Sequence, residues 1–182
     1  MDSRSPDLSQ LRHWLLEMDD AQFLELARKE KRILSRLTAL SYDPDTAVTS
    51  RAIKITGLAA KIIAERDPDY VRNYLLRLFW LINDESGGVC WKAPELIGEI
   101  LYYCPQFTQF FPMLISLLDL EKKDAPRFRA GTLRAIGHVA QVARKAMQPA
   151  LSYIEKIASE EDDTNIMEIV QWCVEQLVTE NA

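Results

Sequence analysis

The stretch TAVTSRAIKITGLAAKIIAE, from Thr46 to Glu65, repeats its apolar residues at the spacing of an α-helix. The residues that recur every three or four positions, and so share one helix face, are Val48, Ala52, Ile55, Ala59 and Ile62. The segment from Ile166 to Leu177 has the same pattern, whereas alternating β-branched runs and Asn-Gly or Asp-Gly hairpin turns are nearly absent from the sequence. The sequence therefore predicts an all-α fold.

The same periodicity predicts nine helices along the chain. Asp-Pro, Gly-Gly and Cys-Pro pairs and acidic clusters separate them, and all of these residues begin or end helices. The predicted helices cover residues 8–18, 20–40, 46–65, 69–83, 91–103, 106–120, 126–143, 147–159 and 164–179.

Composition favours a single globular domain without a membrane or nucleic-acid partner. The 182 residues are 48% apolar and 27% charged, which is ordinary for a globular protein. No apolar run reaches the roughly 20 residues that span a bilayer. The start, MDSRSPDLSQL, lacks the layout of a secretion signal, and the three cysteines form no CxxC pair, so we expect a cytoplasmic location. A long basic stripe, as in a nucleic-acid-binding protein, is also missing.

Charge is unevenly distributed along the chain. Residues 1–158 hold all 22 basic residues and 20 acidic ones, whereas residues 159–182 hold seven acidic residues and no lysine or arginine. The net charge of −5 therefore comes from the C-terminal segment.

Three glycines lie inside predicted helices at a near-constant spacing. Gly57, Gly98 and Gly137 are 41 and 39 residues apart. Because glycine costs about 1 kcal/mol relative to alanine in a helix interior, we expect a common reason, the close approach of a neighbouring helix. An acidic residue lies in the turn before each of these helices, and a basic residue follows it. The pairs are Asp45 with Arg51, Asp84 and Glu85 with Lys92, and Asp124 with Arg129.

This pattern resembles the HEAT-repeat family, and GTLRAIGHVA, from Gly131 to Ala140, is similar to the second-helix signature of its PBS-lyase-type branch. Such repeats are helix pairs of about 40 residues. The resemblance implies an armadillo-like, short right-handed α-solenoid of about four helix pairs over residues 20–182, with an N-terminal capping helix within residues 1–19. It also implies an ion-pair ladder between the acidic turn residues and the basic residues of the second helices. Asp163 has no basic residue after it, which is typical of a terminal repeat.

The resemblance also implies a binding surface, because the second helices of a solenoid usually line its concave face. Mostly polar residues recur at matching positions around the three glycines. Lys54, Glu95 and Arg134 lie three positions before them, and Leu58, Glu99 and His138 lie one position after them. We predict a partner site formed by Lys54, Asp84, Glu85, Trp91, Lys92, Glu95, Glu99, Arg134 and His138. Mixed charge suits a protein partner better than a polyanion. Ordinary solvated helix faces are the alternative interpretation.

The stretch NDESGGVCWKAPELIGEI, residues 83–100, is predicted to be a long intra-repeat turn followed by a helix. We expect Trp91 to be exposed, because it follows the glycines at a helix start. A phosphate-binding loop is excluded by the glycine spacing and by the missing strand. Cys90 and Cys104 are too far apart on one helix to share a metal ion, and neither histidine has a second ligand near it in sequence. Cys90 lacks an identifiable base, so a space-filling thiol is favoured over a nucleophile.

These observations predict a non-enzymatic protein-binding scaffold or adaptor that uses the second-helix face and the 84–95 turn, and no cofactor. One alternative, implied only by the PBS-lyase-type resemblance, is an accessory subunit for attaching or removing a bilin-type cofactor on a client protein. Nucleic-acid binding is a further alternative, which the charge balance gives little reason to expect.

Overall fold

The computed structural model describes residues 5–82, 90–119 and 125–179, without the side chains of residues 125–127. The described chain is helical and contains no strand, which confirms the all-α prediction. The α-helices are α1 (Leu8–Leu16), α2 (Asp20–Lys29), α3 (Ile33–Leu40), α4 (Thr46–Ala64), α5 (Pro68–Ile82), α6 (Ala93–Tyr103), α7 (Phe111–Ser116), α8 (Ala125–Met147), α9 (Leu151–Glu160) and α10 (Thr164–Val178). Short 3₁₀ turns cover Thr108–Phe110, Leu117–Asp119 and Gln148–Ala150. None of the described helices is both long enough and apolar enough to cross a membrane.

Four helices form the central layer of the molecule. Helix α4 packs against α6, α6 against α8, and α8 against α10. We call these the second helices, because each is preceded in the chain by a first helix that packs on it: α2 with α3, then α5, α7 and α9. Helix α1 packs on α2, α3 and α4. The stack of four helix pairs is an α-solenoid, as predicted.

The sequence fixes the starts of the second helices through capping residues. The Asp45 carboxylate accepts a hydrogen bond of 2.9 Å from the Ala47 amide at the start of α4. Asp163 does the same for α10, with 2.8 Å to the Asn165 amide. Pro94 occupies the first turn of α6, where its missing N–H leaves no helical hydrogen bond unmade. A capping hydrogen bond, as accepted by Asp45 and by Asp163, contributes about 1 kcal/mol to helix stability and sets where the helix begins.

The first helices differ from the sequence prediction more than the second helices do. The predicted helix 20–40 is broken, because Glu30 is extended (φ −136°, ψ 111°) and its carboxylate accepts a hydrogen bond from Arg36. The break lets α2 and α3 both pack on α4. The predicted helix 106–120 is a six-residue α7 between two 3₁₀ turns. Helix α8 continues to Met147 across a kink at Ala143 (φ −142°, ψ 42°), past the predicted end.

The ion pairs do not follow the ladder that the family pattern implied. Arg51 pairs with Asp20 of α2, whereas Asp45 caps its own helix and lies 3.8 Å from the Arg12 guanidinium of α1. Arg129 of α8 pairs with Glu161, which lies between α9 and α10, so this one does join two successive pairs. Asp84, Glu85 and Asp124 lie outside the described residues.

Candidate functional site

A groove of about 560 Å³ crosses the layer of second helices. All four second helices contribute to its walls. We call it the second-helix groove. It is lined by Thr49, Ser50 and Ile53 from α4, Lys92, Glu95 and Glu99 from the start of α6 and its first turns, Arg134, Ala135 and His138 from α8, and Glu168, Ile169 and Trp172 from α10.

The groove-lining residues are spaced by one helical turn. Each helix contributes two positions four residues apart, and such positions lie one above the other on the same face. The pairs are Thr49 with Ile53, Glu95 with Glu99, Arg134 with His138, and Glu168 with Trp172. The groove therefore has two rows of side chains, one nearer the N-terminal ends of the helices and one a turn further along.

The mid-helix glycines set the spacing between the second helices. A Cβ atom on Gly57 would lie 2.6 Å from the carbonyl oxygen of Glu99, and one on Gly98 would lie 2.7 Å from Cα of Ala135. A Cβ atom on Gly137 would overlap the indole ring of Trp172. Each glycine thus faces the next second helix, which confirms the predicted close approach. A bulkier residue at these positions would push the helices apart.

Glu95 is held in the groove wall between two helices. Its side chain is only 14% exposed, and one carboxylate oxygen, Oε1, accepts a hydrogen bond of 3.2 Å from Lys92 Nζ. The other oxygen, Oε2, lies against Gly131 of α8, is buried, and has no hydrogen-bond partner among the described residues. A buried acceptor left without a partner costs about 1–3 kcal/mol. Gly131 leaves the space that this carboxylate occupies.

Glu99 and His138 form the middle of the second row. His138 Nδ1 lies 3.1 Å from Glu99 Oε1, and the imidazole stacks on the Tyr102 ring with 3.9 Å between centroids. The Glu99 side chain is 16% exposed, and its Oε2 is buried without a partner among the described residues. The imidazole is therefore fixed on one side by an aromatic ring and at its edge by a carboxylate.

Two charged side chains in the groove are unpaired. Arg134 of α8 and Glu168 of α10 are exposed and form no ion pair or side-chain hydrogen bond within the described parts of the chain. Trp172, one turn after Glu168, is half-buried. The groove thus combines desolvated carboxylates, two free charges of opposite sign and an aromatic ring.

A search among known proteins found a relative that is similar to this chain over most of its length. It is an uncharacterized protein from Archaeoglobus fulgidus (strain ATCC 49558 / DSM 4304 / JCM 9628 / NBRC 100126 / VC-16), 31% identical over 134 residues, which are 73% of this chain and 68% of that protein. The chain belongs to the same family as this archaeal protein. No family model matches the sequence.

A solved structure with some similarity is that of the archaeal HEAT-like repeats protein from Thermococcus onnurineus NA1. The two sequences are 17% identical. The alignment covers 99% of this chain and 85% of that chain, and the TM-score is 0.38. The α-solenoid architecture of this chain is shown by its own packing, namely four consecutive helix pairs whose second helices stack in one layer.

Five of the predicted site residues line the groove together: Lys92, Glu95, Glu99, Arg134 and His138. Lys54 of α4 is exposed but does not line the groove. Asp84 and Glu85, at the start of the predicted 84–95 turn, lie outside the described residues. The residues predicted from matching positions on α6 and α8 therefore lie together in one place, whereas Lys54, predicted from the matching position on α4, lies outside it.

The prediction that Trp91 is exposed is wrong. Trp91 is half-buried and packs against Phe128 of α8, with 4.9 Å between ring centroids, and it does not line the groove. The reason is that α8 passes directly beside the start of α6. The tryptophan with the largest exposure among the described residues is Trp80 near the end of α5, which is 62% exposed.

The sequence prediction named Lys54 on α4 and no residue of α10, and so missed the groove-lining residues of the outer two second helices. These residues are Thr49, Ser50 and Ile53 of α4 and Glu168, Ile169 and Trp172 of α10. The comparison of helix positions depended on the mid-helix glycine, and α10 has none. The period-four pair Glu168 and Trp172, which matches the spacing of Glu95 with Glu99, was the available signal.

The cysteines lie apart from the groove and are buried. Burial raises the pKa of the Cys90 thiol, and the nearby Tyr42 hydroxyl offsets part of that effect. Burial raises the pKa of Cys104 and of Cys173 to about 12. Such thiols are poor nucleophiles at neutral pH, because the thiolate is the reactive form. Across residues 5–82, 90–119 and 125–179, no group of three or more Cys, His, Asp or Glu side chains has the geometry to hold a metal ion.

Proposed function

We propose that this chain is a non-enzymatic binding module that holds a segment of a partner protein in the second-helix groove. The observation that carries the proposal is the groove itself, a concave surface to which four helices contribute side chains in register. Extended concave surfaces of this kind are where solenoid proteins bind their partners.

The dimensions of the groove favour a polypeptide segment. Packed helix axes lie about 8–10 Å apart, so the three steps from α4 to α10 span about 24–30 Å. An extended chain advances about 3.3 Å per residue and would need about eight residues to cross that distance. The chemistry also suits a peptide, since the groove offers carboxylates, a guanidinium and an aromatic ring next to apolar Ile53 and Ile169. Tryptophan and arginine are the residue types most enriched at binding hot spots.

The charge of the groove disfavours nucleic acid. Its carboxylates, Glu95, Glu99 and Glu168, outnumber its permanent cations, Lys92 and Arg134. Binding to a phosphate backbone depends on several lysine or arginine contacts. A protein segment is therefore the better partner.

Affinity capture from native cell lysate tests the proposal with two matched variants. Ser50→Trp adds a large side chain to an exposed position in the groove, and Ser35→Trp makes the same change at an exposed position of α3 outside it. We expect a stoichiometric protein that the parent and Ser35→Trp both capture and that Ser50→Trp loses. Equal thermal melting of the three proteins is the folding control. The proposal fails if Ser50→Trp captures everything that the parent captures.

A further inference from the structure

The charges that line the second-helix groove are unevenly matched. Lys92 is already engaged by Glu95, at 3.2 Å, so Arg134 is the one unpaired permanent cation of the groove within the described chain. Glu168 is an unpaired carboxylate, and Glu95 and Glu99 each keep one buried oxygen without a hydrogen-bond partner there. The groove therefore has a surplus of acceptors over donors.

The α10 side of the groove is the acidic end of the molecule. From Ser159 onward the chain has seven acidic residues and no lysine or arginine. Among those that the structure describes, only Glu161 is in an ion pair, with Arg129. Charge of one sign along a wall attracts oppositely charged partners and raises their association rate.

Glu168 and Trp172 together provide the chemistry that a basic side chain requires. They lie one turn apart on α10 and both face the groove. The Trp172 ring is half-buried and rests over Gly137, so it presents a fixed aromatic surface next to a free carboxylate. Lysine and arginine place their alkyl stems and their charge on such rings.

Arg134 does not make the groove an anion site. It lies on α8, between the helix that carries Glu95 and the helix that carries Glu168, in the same row of side chains. An anionic ligand at Arg134 would therefore meet carboxylates on both neighbouring helices, and like charges brought together are unfavourable.

We infer that the partner segment is basic, with a lysine or arginine side chain that lies against Trp172 and pairs with Glu168. This inference rests on the proposed function, because it describes the occupant of the same groove. Arg134 then opposes the bound cation, so removing the Arg134 charge and removing the Glu168 charge have opposite effects on affinity.

A random 12-residue peptide library displayed on phage tests the inference, with selection on the immobilised parent protein and counter-selection on Ser50→Trp. Selected peptides are then synthesised and titrated by fluorescence anisotropy. The inference predicts peptides that carry lysine or arginine. Glu168→Gln should weaken their binding about five- to tenfold, and Arg134→Gln should strengthen it. The matched control is Glu155→Gln, which removes the same charge from an exposed position of α9 outside the groove and should change binding less than twofold.

The outcomes separate the two proposals. Groove-dependent peptides that carry Asp or Glu and lose affinity in Arg134→Gln would overturn the inference and leave the proposed function standing. Groove-dependent apolar peptides that respond to neither charge change would do the same. If no peptide distinguishes the parent from a folded Ser50→Trp variant, the proposed function fails and the inference with it.

Discussion

The second helices and the first helices of this solenoid are built differently. The second helices α4 and α8 have 19 and 23 residues, whereas the first-helix positions hold the six-residue α7 and the broken pair α2 and α3. Each interior second helix packs against a second helix on either side as well as against its own first helix. The first helices pack mainly against the second helices. The second helices are therefore regular where they line the groove, before the Ala143 kink of α8, whereas the first-helix positions vary from the 15-residue α5 to the six-residue α7.

The same contrast explains where the candidate site lies. Regular helices at a glycine-set spacing bring matching side chains into rows, and rows of side chains form a groove. The first-helix layer exposes a few apolar residues instead, such as Leu76 and Trp80, which lie one turn apart on α5. A few exposed apolar residues are ordinary on a protein surface and indicate no site by themselves.

The contact between α6 and α8 should give the largest effect on stability. Gly98→Ala would place a methyl group 2.7 Å from the backbone of Ala135, which cannot move without shifting α8. We expect it to lower the free energy of unfolding by about 1–3 kcal/mol despite the better helix propensity of alanine. Urea denaturation measures this directly.

Gly131→Ala is the matched control for Gly98→Ala. Its methyl group meets only the end of the Glu95 side chain, which can turn aside into the groove. Its effect should therefore be smaller than that of Gly98→Ala. If the two variants lose equal stability, helix spacing does not depend on backbone contact at Gly98.

A pair of tryptophan substitutions compares the two layers directly. Trp91→Ala removes a half-buried ring packed on Phe128 between α6 and α8, and we expect a loss of about 2 kcal/mol, less than for a fully buried tryptophan. Trp80→Ala on α5 removes a ring that is 62% exposed and should stay within about 0.5 kcal/mol of the parent. Thermal and chemical unfolding of both variants check the difference. A larger loss for Trp80→Ala would contradict the contrast between the layers.

The ion pair between α8 and the last helix pair should give a smaller, pH-dependent effect. The hydrogen bond from Arg129 lowers the pKa of Glu161 below its usual value. Because the pKa is lower in the folded state, the pair stabilises the protein above the ordinary glutamate pKa, and that contribution disappears as the pH falls through the lowered value. Arg129→Met should therefore be destabilising at pH 7 and progressively less so below about pH 4.5.

Arg72→Met is the first-helix counterpart of this change. Arg72 pairs with Asp69 within α5 at 2.9 Å, and both side chains are well exposed, so we expect almost no change in stability at any pH. Parallel urea titrations at several pH values measure both variants. A pH-independent loss in Arg129→Met would show that its packing, and not its charge, stabilises α8.

The periodic parts of the molecule were predictable from sequence. Repeated spacings in the sequence predict the helical class, the four helix pairs and the close approach at Gly57, Gly98 and Gly137. They do so because each repeat packs against its neighbours in the same way. The polar stripe that contains Glu95, Glu99, Arg134 and His138 follows for the same reason. The similarity to the PBS-lyase-type branch stays a prediction, as do the cytoplasmic location and the division between a capping helix and the solenoid.

The non-periodic features depended on contacts between distant segments. No glycine or proline in the sequence marks the helix break at Glu30. The break occurs because α2 and α3 both pack on α4. Trp91 is half-buried because α8 brings Phe128 beside it, 37 positions further along the chain. The ion-pair partners of Arg51 and Arg129 depend on which helix ends meet in the folded protein. The spacing of residues along the sequence does not predict which helix ends meet.

By itself, the sequence determined which residues share a helix face and which positions recur, since both depend only on the period of the α-helix and of the repeat. The tertiary structure alone decided that Glu168 and Trp172 complete the groove and that Trp91 is covered. It also decided that one oxygen each of Glu95 and Glu99 is buried with no partner among the residues that the structure describes. These features depend on how neighbouring helices are spaced and aligned, and only the packed stack fixes that spacing.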